Sequence, residues 1–243
     1  MEIIDDLAAE QDRLDALLAG LSDAQWDTAS AAPGWSITDV VIHLAQTEEL
    51  VAATLKTGER GETWERGDRP LDDVVDEVVR ADRAPAAQVF ERWRRARSAA
   101  LEALRGADPK QRVPWAATPL RPAVLATTRL AEHWAHGLDI TDPLGLPFPD
   151  TDRLRHIAWL GHRTLPYAFA VEGLDAHDVY CELTAPDGSR WRYGSADSDS
   201  SIRGSAGDFC RVGARRLAPQ RSHLVASGPH AEAALRVLRN YAA

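Results

Sequence analysis

The sequence predicts an α+β protein, an all-helical N-terminal domain followed by a small α/β domain, and three observations carry that prediction. Apolar residues recur at three- and four-residue spacing in stretches as far as about residue 171. After Gly173 the period shortens toward two, in Val179–Thr184 and Arg190–Tyr193. Between those runs stands Pro186-Asp187-Gly188, a hairpin turn signal. Four helical segments fill residues 1–148, enough for a four-helix bundle. Residues 149–243 then hold a linking helix and the small α/β domain.

The first helix spans about residues 2–20, with Ile3, Ile4, Leu7, Leu14, Leu17 and Leu18 on its apolar stripe and Gly20 as its stop. A turn at Ala31-Ala32-Pro33-Gly34-Trp35 follows. Ser36 reads as an N-cap, with Asp39 three positions on completing a capping box. The second helix runs from about Ile37 to Lys56 and stops near Gly58. Gly58–Arg69 is polar and glycine-bearing, hence a loop. One long helix is expected from about Leu71 to Leu104, with Pro85 a point where it can break. Pro109, Pro114, Pro119 and Pro122 mark a loop before the fourth helix, about Ala123 to Ile140. Pro143, Gly145, Pro147 and Pro149 punctuate the domain boundary. Residues 151–171 read as one further helix. After the hairpin come a helix around Ser205–Arg216, a short strand at Ser222–Ala226 and a helix from Pro229 to Tyr241. No internal repeat or low-complexity segment interrupts the chain.

At 243 residues the chain can bury a sizeable core in one or two domains. A formal net charge of −9 argues against nucleic acid as a partner, because binding it calls for a basic face. No apolar run approaches the ~18 residues that cross a bilayer. The acidic start, Met1-Glu2-Ile3-Ile4-Asp5-Asp6, lacks the basic and apolar regions of a signal peptide. Cys181 and Cys210 form neither a CxxC motif nor a disulfide framework. A cytoplasmic protein acting on a small molecule is expected. Eight tryptophans against four phenylalanines suit core filling first and aromatic pocket walls second.

Chemistry concentrates in Glu132-His133-Trp134-Ala135-His136. Glu132 and His136 are four apart on a helix, so their side chains share a face and can hold one ion. His133 is rotated ~100° away and should point elsewhere. His43 lies in the apolar run Val40-Val41-Ile42-His43-Leu44-Ala45 and needs a polar partner if buried. By spacing alone these signals are weak: such pairs are common on solvated helices, and a histidine on an apolar face is more often hydrogen-bonded core. Asp139, three residues past His136, suits either a carboxylate orienting that imidazole or a helix-end residue. His162 and Arg163 fall near the domain joint, as cleft residues or, more simply, solvated helix positions. Cys210, with only Arg211 beside it, reads as an inert core thiol. There is no phosphate loop, nucleophile elbow or dinucleotide fingerprint.

Two segments carry a resemblance. They are Pro33-Gly34-Trp35-Ser36-Ile37-Thr38-Asp39-Val40-Val41-Ile42-His43-Leu44 and Arg129-Leu130-Ala131-Glu132-His133-Trp134-Ala135-His136-Gly137-Leu138-Asp139-Ile140. Both resemble the DinB-like metalloprotein superfamily, in the branch of mycothiol-dependent maleylpyruvate isomerase. Val179–Leu183, Trp191–Tyr193 and Ile202–Phe209 resemble that branch's C-terminal domain. Arg153–His156, Gly161–Thr164 and Gly207–Cys210 extend the likeness to an actinobacterial subgroup described only as metal-binding.

The resemblance implies a DinB-like four-helix bundle and a divalent metal, with zinc the expected ion, on His43, Glu132 and His136. It also points to Arg216, beside Arg215, as a functional arginine near the end of a C-terminal-domain helix. A guanidinium there binds a carboxylate, or simply complements a helix C-terminus. The implied activity is S-transfer or isomerisation of a small electrophile with a low-molecular-weight thiol such as mycothiol. Two alternatives use the same residues: a thiol-independent hydrolase, lyase or cyclase, and a non-catalytic metal- or ligand-binding protein.

Overall fold

The computed structural model describes residues 2–59, 70–115 and 118–240, the side chain of Leu71 excepted. They form two compact units that divide after Phe148.

The first unit is helical: α1 (Glu2–Ala19), a single turn α2 (Asp23–Trp26), α3 (Ile37–Thr57), α4 (Leu71–Ala81), α5 (Ala86–Gly106) and α6 (Pro122–Leu144). Helix α3 packs most closely on α5, and α1 on α6. Leu14 and Leu18 of α1, Val41 and Leu44 of α3, Trp93 of α5 and Ile140 of α6 meet in one buried cluster. Each such side chain contributes roughly 1.5–3 kcal/mol by leaving water.

Helix α3 is framed by local chemistry. Ser36 N–H donates to Asp39 Oδ2 at 2.9 Å, and Asp39 N–H donates to Ser36 Oγ at 3.2 Å, a capping box. At its end Gly58 takes φ 72°, a left-handed conformation open to glycine, and its N–H bonds the Thr54 carbonyl at 2.9 Å. The loop expected at Gly58–Arg69 lies outside the described residues from position 60 onward.

The long helix expected over 71–104 is two helices. Helix α4 ends at Ala81, and Pro85 stands extended, at φ −52° and ψ 138°, as the N-cap of α5. A proline ring disfavours helical geometry in the residue before it, so the break falls ahead of Pro85. Helix α6 runs past the expected end at Ile140 and carries Pro143 inside its last turn. Pro143 has no N–H to give the Asp139 carbonyl four residues back. That carbonyl accepts the Ala31 N–H instead, at 2.8 Å, tying the turn before α3 to α6.

The second unit contains α7 (Leu154–Arg163), α8 (Leu165–Val171), β1 (Tyr180–Thr184), β2 (Arg190–Tyr193), β3 (Ser201–Ser205), α9 (Ala206–Gly213), β4 (Val225–Ser227) and α10 (Ala231–Val237). Its sheet has the order β2-β1-β3-β4. The β1–β2 hairpin is antiparallel, with Cys181 opposite Tyr193, while β1 and β3 run parallel, with Cys181 opposite Ile202.

Four expectations are corrected here. The single helix over 151–171 is split at Thr164, because Pro166 cannot bond the His162 carbonyl as a continuous helix requires. Strand β3 occupies a segment expected only to lead into a helix. Helix α9 stops at Gly213 rather than Arg216, and Arg215 takes φ 62°, which no right-handed helix allows. The last helix ends at Val237, and Tyr241 lies outside the described residues.

Candidate metal centre

Two helices build the centre. The first, α3, presents His43; the second, α6, presents Glu132 and His136 from successive turns. Glu132 Oε2 lies 3.6 Å from His43 Nε2 and 3.4 Å from His136 Nε2. One ligand atom from each of the three residues falls within 4.8 Å of the others. Ligands about 2.0–2.1 Å from a tetrahedral zinc stand about 3.3 Å from one another. The spacing of these side chains therefore fits such an ion with little adjustment. Two imidazoles and a carboxylate are also the donor chemistry zinc favours.

The imidazole of His136 is fixed from behind. Its Nδ1 lies 2.9 Å from Asp139 Oδ2, and Asp139 is only 2% exposed. A carboxylate at that nitrogen takes its N–H, so the Nε2 lone pair faces Glu132 and His43. Burial opposes charge on His136, but Asp139 and Glu132 outweigh it and hold its pKa above the usual histidine value. Burial dominates at His43 and lowers its pKa, despite its contact with Glu132. For Glu132, burial works against ionisation, yet His136, His43 and the charge of Arg129 together hold its carboxyl well below the usual range.

Trp35 forms a wall of the site. Its ring centroid is 5.2 Å from that of His43 and 6.4 Å from that of His136. Trp35 Nε1–H donates to Asp76 Oδ1 at 3.0 Å, and its carbonyl accepts Ser30 N–H at 2.8 Å. One turn before Glu132 on α6, the buried Arg129 donates to Glu48 Oε1 at 2.9 Å and to Thr47 Oγ1 at 2.6 Å.

His133, His162 and Arg216, also singled out from the sequence, have partners outside the trio. His133 faces away from the trio: its Nδ1–H donates to the Arg129 carbonyl at 2.8 Å, and its Nε2 accepts Trp93 Nε1–H at 3.3 Å. Burial, aided by Arg129, pushes its pKa down to about 3. His162 belongs to the second unit, where its Nε2–H donates to the Val179 carbonyl at 3.0 Å and its ring stacks on Tyr193. Arg163 ends α7. Arg216 is exposed beyond the end of α9, and its Nη1 donates to the Ala214 carbonyl at 2.7 Å. Both cysteines are buried and unbridged. Burial pushes the Cys181 thiol up to about 12 and the Cys210 thiol well above its usual range, so neither is a ready thiolate. Glu48 was missed from sequence, as was the part played by Arg129. Both sit in helix runs whose spacing gives no sign that the two meet.

Comparison with known proteins places the chain in a family. Residues 7–141 match the family described as "Mycothiol maleylpyruvate isomerase N-terminal domain". Two Mycobacterium tuberculosis proteins, from strains CDC 1551 / Oshkosh and H37Rv, are each 37% identical over 242 residues, 98% of this chain and 94% of theirs. Both carry the name "Uncharacterized protein". A crystal structure of mycothiol-dependent maleylpyruvate isomerase superposes with TM-score 0.63 at 13% identity, covering 94% of this chain and 95% of that one. A histidine-to-alanine mutant of the isomerase gives TM-score 0.62 at 14% identity over 88% of each chain. At such identity these two structures speak for the α+β fold. Among the described residues, no helix is long and apolar enough to cross a membrane. The chain belongs to the mycothiol maleylpyruvate isomerase family of the DinB-like superfamily.

Proposed function

We propose that this chain is a zinc-dependent enzyme that uses a low-molecular-weight thiol, mycothiol foremost, to transfer sulfur to a small electrophile or to isomerise one. The carrying observation is the number and aim of the donors. Among the described residues the group comprises three side chains, which on a tetrahedral ion leaves one position for a reactant. Bound there, zinc would lower the pKa of a thiol enough to keep it as thiolate near neutral pH.

The chain's own residues do the rest. Asp139 keeps the Nε2 of His136 turned toward the site. Trp35 packs across the two imidazoles and limits their contact with water. In isomerisation the sulfur adds to one carbon of a conjugated C=C bond and forms a C–S bond. The resulting single bond rotates, and cleavage of the C–S bond then restores the alkene and the thiolate. Arg216 is the candidate to hold a carboxylate of the substrate, as a guanidinium suits.

The test is turnover of a maleylpyruvate-like cis-alkene with and without mycothiol. Thiol-dependent turnover, abolished in His43→Ala, is the expected result. Full activity in thiol-free buffer would remove the thiol from the proposal. It would favour a metal-bound water as nucleophile, which the same His2Glu donor set can support.

A further inference from the structure

Helix α3 packs most closely on α5, and α6 on α1, yet the metal centre joins α3 to α6. Its geometry therefore depends on two helices that each rest mainly on another neighbour. Apolar packing is non-directional and fixes such a setting only loosely. Hydrogen bonds between the two helices can fix it closely.

These contacts fall in order along two facing stripes. On α6, Arg129, Glu132 and His136 follow at three- and four-residue spacing and share a face. On α3, His43 and Thr47 do the same. The stripes meet in antiparallel order. The Ala31 N–H, just ahead of α3, reaches the Asp139 carbonyl. His43 meets Glu132 and His136. Thr47 and Glu48 meet Arg129. The metal-binding rung thus stands between two hydrogen-bonded rungs, each about one helical turn away.

The Arg129 rung reaches His43 through Thr47. Arg129 Nε–H donates to Glu48 Oε1 at 2.9 Å, and its Nη2–H donates to Thr47 Oγ1 at 2.6 Å. The Thr47 hydroxyl places its proton between the His43 and Leu44 carbonyls, each at 3.0 Å. A rigid fork with two different acceptors on α3 holds that helix in rotation as well as in height. Stability is a poor account of this rung. The side chains of Arg129 and Glu48 are 3% and 0% exposed. Desolvation of two such charges largely offsets their attraction, and an apolar pair of similar volume is often as stable. What the ion pair adds is register.

We propose that Arg129 is a positioning residue for the metal centre, setting His43 opposite Glu132 and His136 through Thr47 and Glu48. The inference rests on the metal reading of the trio and is independent of the thiol and of the reaction.

Zinc affinity of the full chain, measured by competition with a chromogenic chelator, tests it. The visible spectrum of the cobalt(II)-loaded protein adds a readout of how nearly tetrahedral the ligand set is. Arg129→Met/Glu48→Met removes both charges and keeps most of the volume, so the thermal transition should hold or rise. Its zinc affinity should fall about 10–100-fold, the loss typical of outer partners of metal ligands, and its cobalt bands should weaken. Thr47→Val keeps the shape and the ion pair but cuts the link to the His43 carbonyl. A several-fold loss of zinc affinity is expected there. Arg129→Lys keeps a cation for Glu48 without the fork and should resemble Thr47→Val. A folded double variant with wild-type zinc affinity and cobalt spectrum overturns the proposal, since the pair then serves the bundle alone. Should the double variant not fold, Thr47→Val decides, and wild-type affinity there overturns it. A wild-type chain that binds neither zinc nor cobalt removes the metal reading and this inference with it. Variants equal to a zinc-binding wild type remove this inference alone.

Discussion

His133 and His136 lie three residues apart on α6, both buried, and the structure uses them in opposite ways. Behind His136 stands the carboxylate of Asp139, and in front stands Glu132. Behind His133 stands the Arg129 carbonyl, and in front stands an indole N–H that occupies its Nε2. The first pairing raises the pKa, whereas burial pushes the second down to about 3. Burial is common to both, so the partners decide. The outer nitrogen of His136 faces a carboxylate with which it could share a cation, whereas that of His133 already accepts an indole N–H.

Substituting each histidine tests the contrast at its strongest. His136→Ala should leave purified protein without stoichiometric zinc while its far-UV circular dichroism stays helical. His133→Ala should keep the zinc but lower stability by about 2–4 kcal/mol, from a cavity and an unpaired buried Trp93 N–H. Metal analysis beside urea unfolding reads both effects. Loss of zinc from a well-folded His133→Ala protein would break the distinction.

How much of this contrast was legible in the sequence depended on distance along the chain. The Glu132–His136 pair and the turning away of His133 follow from helix period alone. The capping box at Ser36 and the stop at Gly58 are local and were equally readable. His43 came from family resemblance, because no spacing rule connects positions 89 residues apart on different helices. The ion pair of Arg129 with Glu48, 81 residues apart, was unreadable for the same reason. In the second unit, the β1–β2 hairpin was visible through its turn, whereas β3 was not. Strand β3 pairs in parallel with β1 and antiparallel with β4, so its identity depends on partners distant in sequence, and Gly204 within it weakens the local signal.

A smaller effect is expected from changing the group behind His136 into one more like that behind His133. Asp139→Asn keeps the shape but removes the charge. Loss of such a backing carboxylate typically weakens metal binding about 10–100-fold. The amide oxygen can still accept the Nδ1 proton, so the lower end of that range is expected. Competition with a chromogenic chelator measures it. An unchanged affinity would mean that the position of Asp139, rather than its charge, orients the ring.

The smallest expected effect concerns the backbone. An ordinary α6 turn sends each carbonyl to the N–H four residues on, but Pro143 has none, and the Asp139 carbonyl takes the Ala31 N–H. In this way the turn that carries Trp35 is fastened to the helix that carries His136. Pro143→Ala supplies a competing N–H at position 143. Helix propensity alone favours the change, by less than the ~3 kcal/mol of a helix interior because this is the last turn. The thermal transition should therefore hold or rise. Hydrogen exchange at the Ala31 amide should accelerate, and zinc affinity should fall no more than a few-fold as Trp35 loosens over the histidines. A carbonyl has two lone pairs, so unchanged exchange at Ala31 would show that the Asp139 carbonyl can serve both donors. The proline would then merely tolerate the tether, which Asp139 would hold with or without it.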